Sequence, residues 1–145
     1  MLAVPLVLAA IVAFDVLGAG SIIEYYAGDN QQKDLSFSYS SCDRTNKAYK
    51  NTVTSQRWEG GSLVVTGVAF PNCSATWLFG AYERNGNAIS LKYFPVESSV
   101  LTACECPKEV TYQIDNLQKH DYEVSISEGS VIEYKSITYA LLYGE

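Results

Sequence analysis

Residues 1–23 of this chain are nearly unbroken hydrocarbon. They read MLAVPLVLAAIVAFDVLGAGSII, with one carboxylate, Asp15, and no Lys or Arg; the first basic residue is Lys33. A segment apolar on every side must be buried, in protein or in lipid. As a helix over 2–26 it would run roughly 35–40 Å at 1.5 Å per residue, enough to cross a bilayer. Pro5 suits the first turn of such a helix, where its missing N–H costs little. Gly18 and Gly20 weaken its later part. Gly28, Asp29 and Asn30 end it and open a polar stretch. The resulting division is an apolar helix over 1–27, a linker over 28–34 and a head domain over 35–145.

Three burial schemes compete for the apolar run. A secretory signal peptide carries a basic n-region and an uncharged core. Here the base is missing and Asp15 interrupts the core, although 17–20, Leu-Gly-Ala-Gly, has the small residues of a cleavage site. A membrane anchor would place Asp15 near the bilayer centre at a cost of about 2.5–3.5 kcal/mol. No flanking Lys or Arg would set its orientation. The third scheme packs the helix against copies of itself, which uses its whole apolar circumference. Leu2, Val4, Leu6, Leu8, Ile11, Phe14, Leu17, Ile22 and Ile23 are then contact residues. Asp15 requires a donor, because an unpaired buried charge is too costly to persist. A neighbouring Met1 α-amino group or Ser21 is the expected partner.

This layout resembles archaeal type IV pilins and the related archaellins. The resemblance rests on the first 26 or so residues and on the β-rich remainder. Met1-Leu2-Ala3-Val4-Pro5 looks like the Ser-Pro-Val start common among archaeal pilins, and Pro5 stands where bacterial pilins carry Glu. The resemblance implies a structural subunit of an extracellular filament used for adhesion or motility. Its N-terminal helix would polymerise with its copies and its β domain would face outward. It also implies a membrane-inserted state before assembly and a helical homo-oligomer afterwards. The competing expectations are a secreted or tethered β-sandwich binding domain, and a surface fibre assembled by strand donation.

The head domain reads as short strands divided by turns. Leu35–Tyr39 alternates, with Leu35, Phe37 and Tyr39 on one face. Further strands are expected over 52–58, 62–70, 76–82, 88–94, 100–104, 110–114 and 122–126. A long apolar run over 131–143 is read as a central strand or one covered by a partner. Gly60-Gly61 closes one hairpin, and Asn85-Gly86 signals a type I′ turn in another. The expected fold class is therefore an N-terminal apolar α-helix followed by an all-β antiparallel sandwich, immunoglobulin-like in general form.

Four cysteines, Cys42, Cys73, Cys104 and Cys106, make an even set beside an apolar N-terminus. They read as two disulfides in an oxidising compartment. Cys104 and Cys106 stand too close to bridge each other. The choices are Cys42–Cys104 with Cys73–Cys106, or Cys42–Cys106 with Cys73–Cys104; the second is favoured. Asn72-Cys73-Ser74 fits the N-glycosylation pattern, which makes Asn72 a candidate glycan acceptor.

A net charge of -6 disfavours a nucleic-acid partner. The single histidine, His120, precedes Asp121 in an apparent turn, with no nucleophile beside it in sequence. Cys104-x-Cys106 with His120 lacks the usual zinc spacing. No phosphate loop, Gly-x-Ser-x-Gly or His-Glu-x-x-His occurs. Neither catalysis, a metal nor a cofactor is expected. The eleven tyrosines suit strand interiors, or an aromatic surface for subunit contacts or sugars.

Overall fold

The computed structural model describes residues 32–97 and 103–130. Seven strands follow in order: β1 (Leu35–Tyr39), β2 (Thr52–Glu59), β3 (Ser62–Ala69), β4 (Ala75–Asn85), β5 (Ala88–Glu97), β6 (Lys108–Ile114) and β7 (Glu123–Glu128). They form a four-stranded sheet in the order β1-β6-β3-β2 and a three-stranded sheet in the order β4-β5-β7.

Alternation decides which side chains meet between the sheets. β1 sends Leu35, Phe37 and Tyr39 inward opposite Ile114, Tyr112 and Val110 of β6. β3 adds Leu63 and Val65, and β5 adds Ile89, Leu91 and Tyr93. Leu63, Val65, Ile89, Leu91, Val110, Tyr112 and Ile114 are all fully buried. Each such aliphatic side chain contributes about 1.5–3 kcal/mol relative to exposure. The sheets touch closely at the β1–β4 corner. A Cβ on Gly80 would fall inside the Phe37 ring, so only glycine lets β4 approach there. At the far end Tyr122, just before β7, donates its hydroxyl to the Gln118 carbonyl at 2.9 Å. That is a tyrosine corner, which pins a sheet-to-sheet connection in sandwiches of this kind.

The expected fold class is corrected on two counts. Among the described residues there is no helix; the elements are strands only. The expected helix over 1–27, most of the linker over 28–34 and the expected strand over 131–143 lie outside the described residues. Among the described residues the core is made of strand side chains from both sheets. Nor is the sandwich purely antiparallel, because β7 pairs with β5 in parallel, Ile89 beside Val124 and Leu91 beside Ile126. The chain leaves β5, crosses to the other sheet as β6, and returns as β7. Two crossings restore the original direction.

Smaller differences concern turns. The β4–β5 hairpin pairs Asn85 with Ala88, so its central residues are Gly86 and Asn87. Of these only Gly86 has positive φ, 59°. Glycine at the first central position gives the II′ pattern instead of I′. The strand expected over 100–104 lies mostly outside the described residues, and Ala103 and Cys104 are not in a strand. Among the described residues no helix is long and apolar enough to cross a membrane.

Candidate functional site

Two disulfides close one end of the sandwich. Cys42 bridges Cys106 with Cα atoms 5.4 Å apart, and Cys73 bridges Cys104 at 5.6 Å. Backbone pairing places them. Asn72 and Glu105 form an isolated antiparallel bridge. Cys73 N donates to the Cys104 carbonyl at 3.0 Å, and Cys106 N donates to the Pro71 carbonyl at 2.9 Å. Cys104 thus lies directly opposite Cys73, which leaves Cys106 for the 40–51 loop and its Cys42. Within the glycosylation pattern, Asn72 Oδ1 accepts from Ser74 N at 2.9 Å. The Ser74 hydroxyl is buried with no hydrogen-bond partner, and Cys73 is tied.

Titratable chemistry is sparse. His120 is exposed and stands edge-on to Tyr122, ring centroids 5.6 Å apart. It makes no ion pair with Asp121. Among the described residues no group of three His, Cys, Asp or Glu side chains is placed to hold a metal. Among the described residues, hydrogen bonds from the Thr45 hydroxyl and N–H hold the exposed Asp43 carboxyl below its ordinary value, and the other perturbed groups are phenols. Tyr93 donates toward Asn51 Oδ1 at 3.1 Å and Glu128 Oε2 at 3.2 Å. Burial first, then the Glu128 charge, pushes its pKa up to about 12. Burial also raises Tyr112, and burial together with the Asp34 carboxylate raises Tyr82.

A phenol that stays protonated to higher pH in the folded state stabilises the fold fully below the unfolded value near 10. That stability is lost as pH rises from about 10 through about 12. Chemical denaturation midpoints should therefore be flat across pH 7–9 and fall steeply above 10. Absorbance titration should show a block of tyrosines ionising only as the fold is lost.

The remaining candidate surface is the outer side of the three-stranded sheet and the edge of β4, which no other strand pairs among the described residues. Pairing puts Phe79 opposite Phe94, Ala81 opposite Lys92 and Trp77 opposite Val96, all facing away from the other sheet. Phe94 and Ala81 are buried and Phe79 packs against them, whereas Trp77 is 52% exposed. Gly129 N donates to the Tyr93 carbonyl at 2.9 Å, and a Cβ on Gly129 would strike the Phe94 ring. On the edge, Gln32 fastens itself to the backbone of Tyr82. Tyr82 N donates to Gln32 Oε1 at 2.8 Å, and Gln32 Nε2 donates to the Tyr82 carbonyl at 3.1 Å. The Tyr82 hydroxyl donates to Asp34 Oδ2.

Of the residues singled out from sequence, the structure joins the four cysteines in two bridges at one end and leaves His120 at the other. Leu2, Val4, Leu6, Leu8, Ile11, Phe14, Asp15, Leu17, Ile22 and Ile23 lie outside the described residues. Sequence reasoning missed the Gln32–Tyr82–Asp34 clasp, which joins two residues of the stretch read as linker to the end of the strand expected over 76–82. The one available signal was Leu35, whose alternation starts β1 directly after Asp34 and so brings the linker's end onto the fold. No family model matches the chain, and no curated protein or solved structure matches it.

Proposed function

We propose that this chain is a structural subunit of an extracellular surface filament. The apolar residues 1–23 of neighbouring copies bury one another, and the disulfide-braced sandwich faces outward. The observation that carries this reading is a β core assembled from both sheets, in which Leu63, Val65, Ile89, Val110 and Ile114 are each at 0% exposure among the described residues. An apolar run of this length also has to be buried, and copies of itself offer it an apolar surround on every side. Two disulfides support an oxidising, extracellular setting. The resemblance of the first 26 residues to archaeal type IV pilins supports self-association over a lipid anchor, as does Asp15, which would lie near the bilayer centre.

Electron microscopy of the purified full chain tests the proposal. Uniform filaments that retain residues 1–20 on N-terminal sequencing are expected. Asp15→Leu should cut filament yield at least tenfold, because it leaves the partner of Asp15 buried and unpaired, a loss of about 3–5 kcal/mol. The melting temperature of the sandwich should not change. A monomer that starts near Ser21, or normal filaments from Asp15→Leu, would overturn the reading.

A further inference from the structure

The edge of β4 that faces away from β5 has a defined hydrogen-bonding register. Tyr82 turns its N–H and C=O away from β5, since both are held by Gln32. By strand parity Gly80 and Leu78 turn theirs the same way. Pro95, which has no N–H, lies opposite Leu78, consistent with a position where β4 and β5 exchange no hydrogen bonds. Among the described residues no strand pairs with β4 on this side. Gln32 shows what the edge accepts. Its primary amide gives one donor and one acceptor to a single residue, as a peptide group of an added strand would.

We propose that this edge is a strand-acceptor surface for a second copy of the chain, pairing β4 to β4 about a two-fold axis, and that Gln32 holds it shut. The occupant follows from what the strand presents. An antiparallel pairing centred on Gly80 sets Leu78 against the partner's Tyr82 and Ala81 against the partner's Phe79. It sets Trp77 against the partner's Glu83 and Thr76 against the partner's Arg84. The charges of β4, Glu83 and Arg84, sit at one end of the strand. Two-fold pairing therefore brings no like charges together, which cross-strand energetics requires. It covers Trp77, one of two large hydrophobic side chains left exposed among the described residues. The centre of the contact is a glycine, which presents no side chain between the backbones. An interface of this kind is isologous and closed.

The clasp and the pairing exclude each other, because both need the Tyr82 N–H and C=O. Gln32 is thus an edge guard of the sort that keeps open strands from templating association. The surface belongs to the sandwich alone and does not rest on the filament reading.

The test uses the full chain in one non-ionic detergent, so that the apolar N-terminus is treated alike in every variant. Sedimentation gives the association constant, and amide exchange reports on Leu78 and Gly80. Gln32→Ala removes two competing hydrogen bonds per subunit and should tighten association by about tenfold or more. The Leu78 and Gly80 amides should slow in step with association. Adding Trp77→Glu, which faces the partner's Glu83, should reverse both effects, whereas Trp77→Lys, which can pair with it, should retain them. The inference fails if Gln32→Ala does not tighten association, or if association leaves the Leu78 and Gly80 amides fast. It fails equally if Trp77→Glu and Trp77→Lys behave alike. Filaments that survive all these variants leave the N-terminal proposal standing, so the two failures are distinguishable.

Discussion

Replacing Cys73 and Cys104 with serine lowers the unfolding free energy by about 2–4 kcal/mol, and removing both bridges leaves little of the native sandwich at 37 °C. The bridges nest. The Cys42–Cys106 bridge spans 64 residues and Cys73–Cys104 spans 31. Chain-entropy reasoning gives about 4.3 and about 3.7 kcal/mol for loops of those lengths taken separately. With both closed, Cys73 divides the outer loop, so the bridges share part of that constraint and their losses are not additive. Together they are comparable to the whole stability of a small domain, about 5–15 kcal/mol.

The single-bridge variants should also differ in where they loosen. Without Cys73–Cys104 the segments stay joined by the Asn72–Glu105 bridge and its flanking hydrogen bonds. Without Cys42–Cys106 the polar 40–51 loop keeps few ties, among them Asp43 N to the Pro107 carbonyl at 2.8 Å. Amide exchange should then rise across 40–51 in the second variant and stay local in the first. Urea titration with and without reductant measures the free energies, and a reduced protein with an unchanged midpoint would refute the prediction.

Tyr112→Ala costs about 3–5 kcal/mol, as expected for deleting a fully buried aromatic side chain. Tyr112 is 0% exposed at the centre of β6. Its ring meets Phe37 with centroids 4.8 Å apart. Its hydroxyl crosses the interior and donates to the Lys92 carbonyl on β5 at 2.9 Å. One side chain therefore packs within its own sheet and ties it to the other. Tyr112→Phe keeps the ring and loses only the hydrogen bond, for about 0.5–1.5 kcal/mol. The gap between the two variants separates packing from the polar tie. Denaturant midpoints should shift in that order at constant m. Equal shifts would mean that the hydroxyl, not the ring, dominates.

The strands were legible where one face is wet. Leu35, Phe37 and Tyr39 alternate with serines, and β1 occupies the residues that pattern marks. Ser62 to Phe70 reads as a run rich in Val and Thr, and β3 lies inside its sheet between β6 and β2. Glycine was a good guide to hairpins but less so to their register. Asn85-Gly86 lies at the β4–β5 turn, yet the turn is centred one residue later, because glycine takes the first central position there. The parallel pairing of β5 and β7 was not legible. Alternation records which face of a strand is buried and carries no sign of its direction. The Gln32 clasp escaped for a related reason: a glutamine in a polar stretch does not encode which strand's backbone it will meet.

Sequence alone determined that this chain holds an apolar N-terminal run needing burial, a β-rich body and an even cysteine set that cannot close on itself at Cys104 and Cys106. These are properties of hydropathy, alternation and local geometry, each readable within a few residues. Tertiary structure decided the rest. It selected the disulfide pairing through the Asn72–Glu105 bridge, set β7 parallel to β5, and laid Gln32 across the edge of β4. Each of these joins residues tens of positions apart, and only the closing of the two sheets on each other brings such partners into contact.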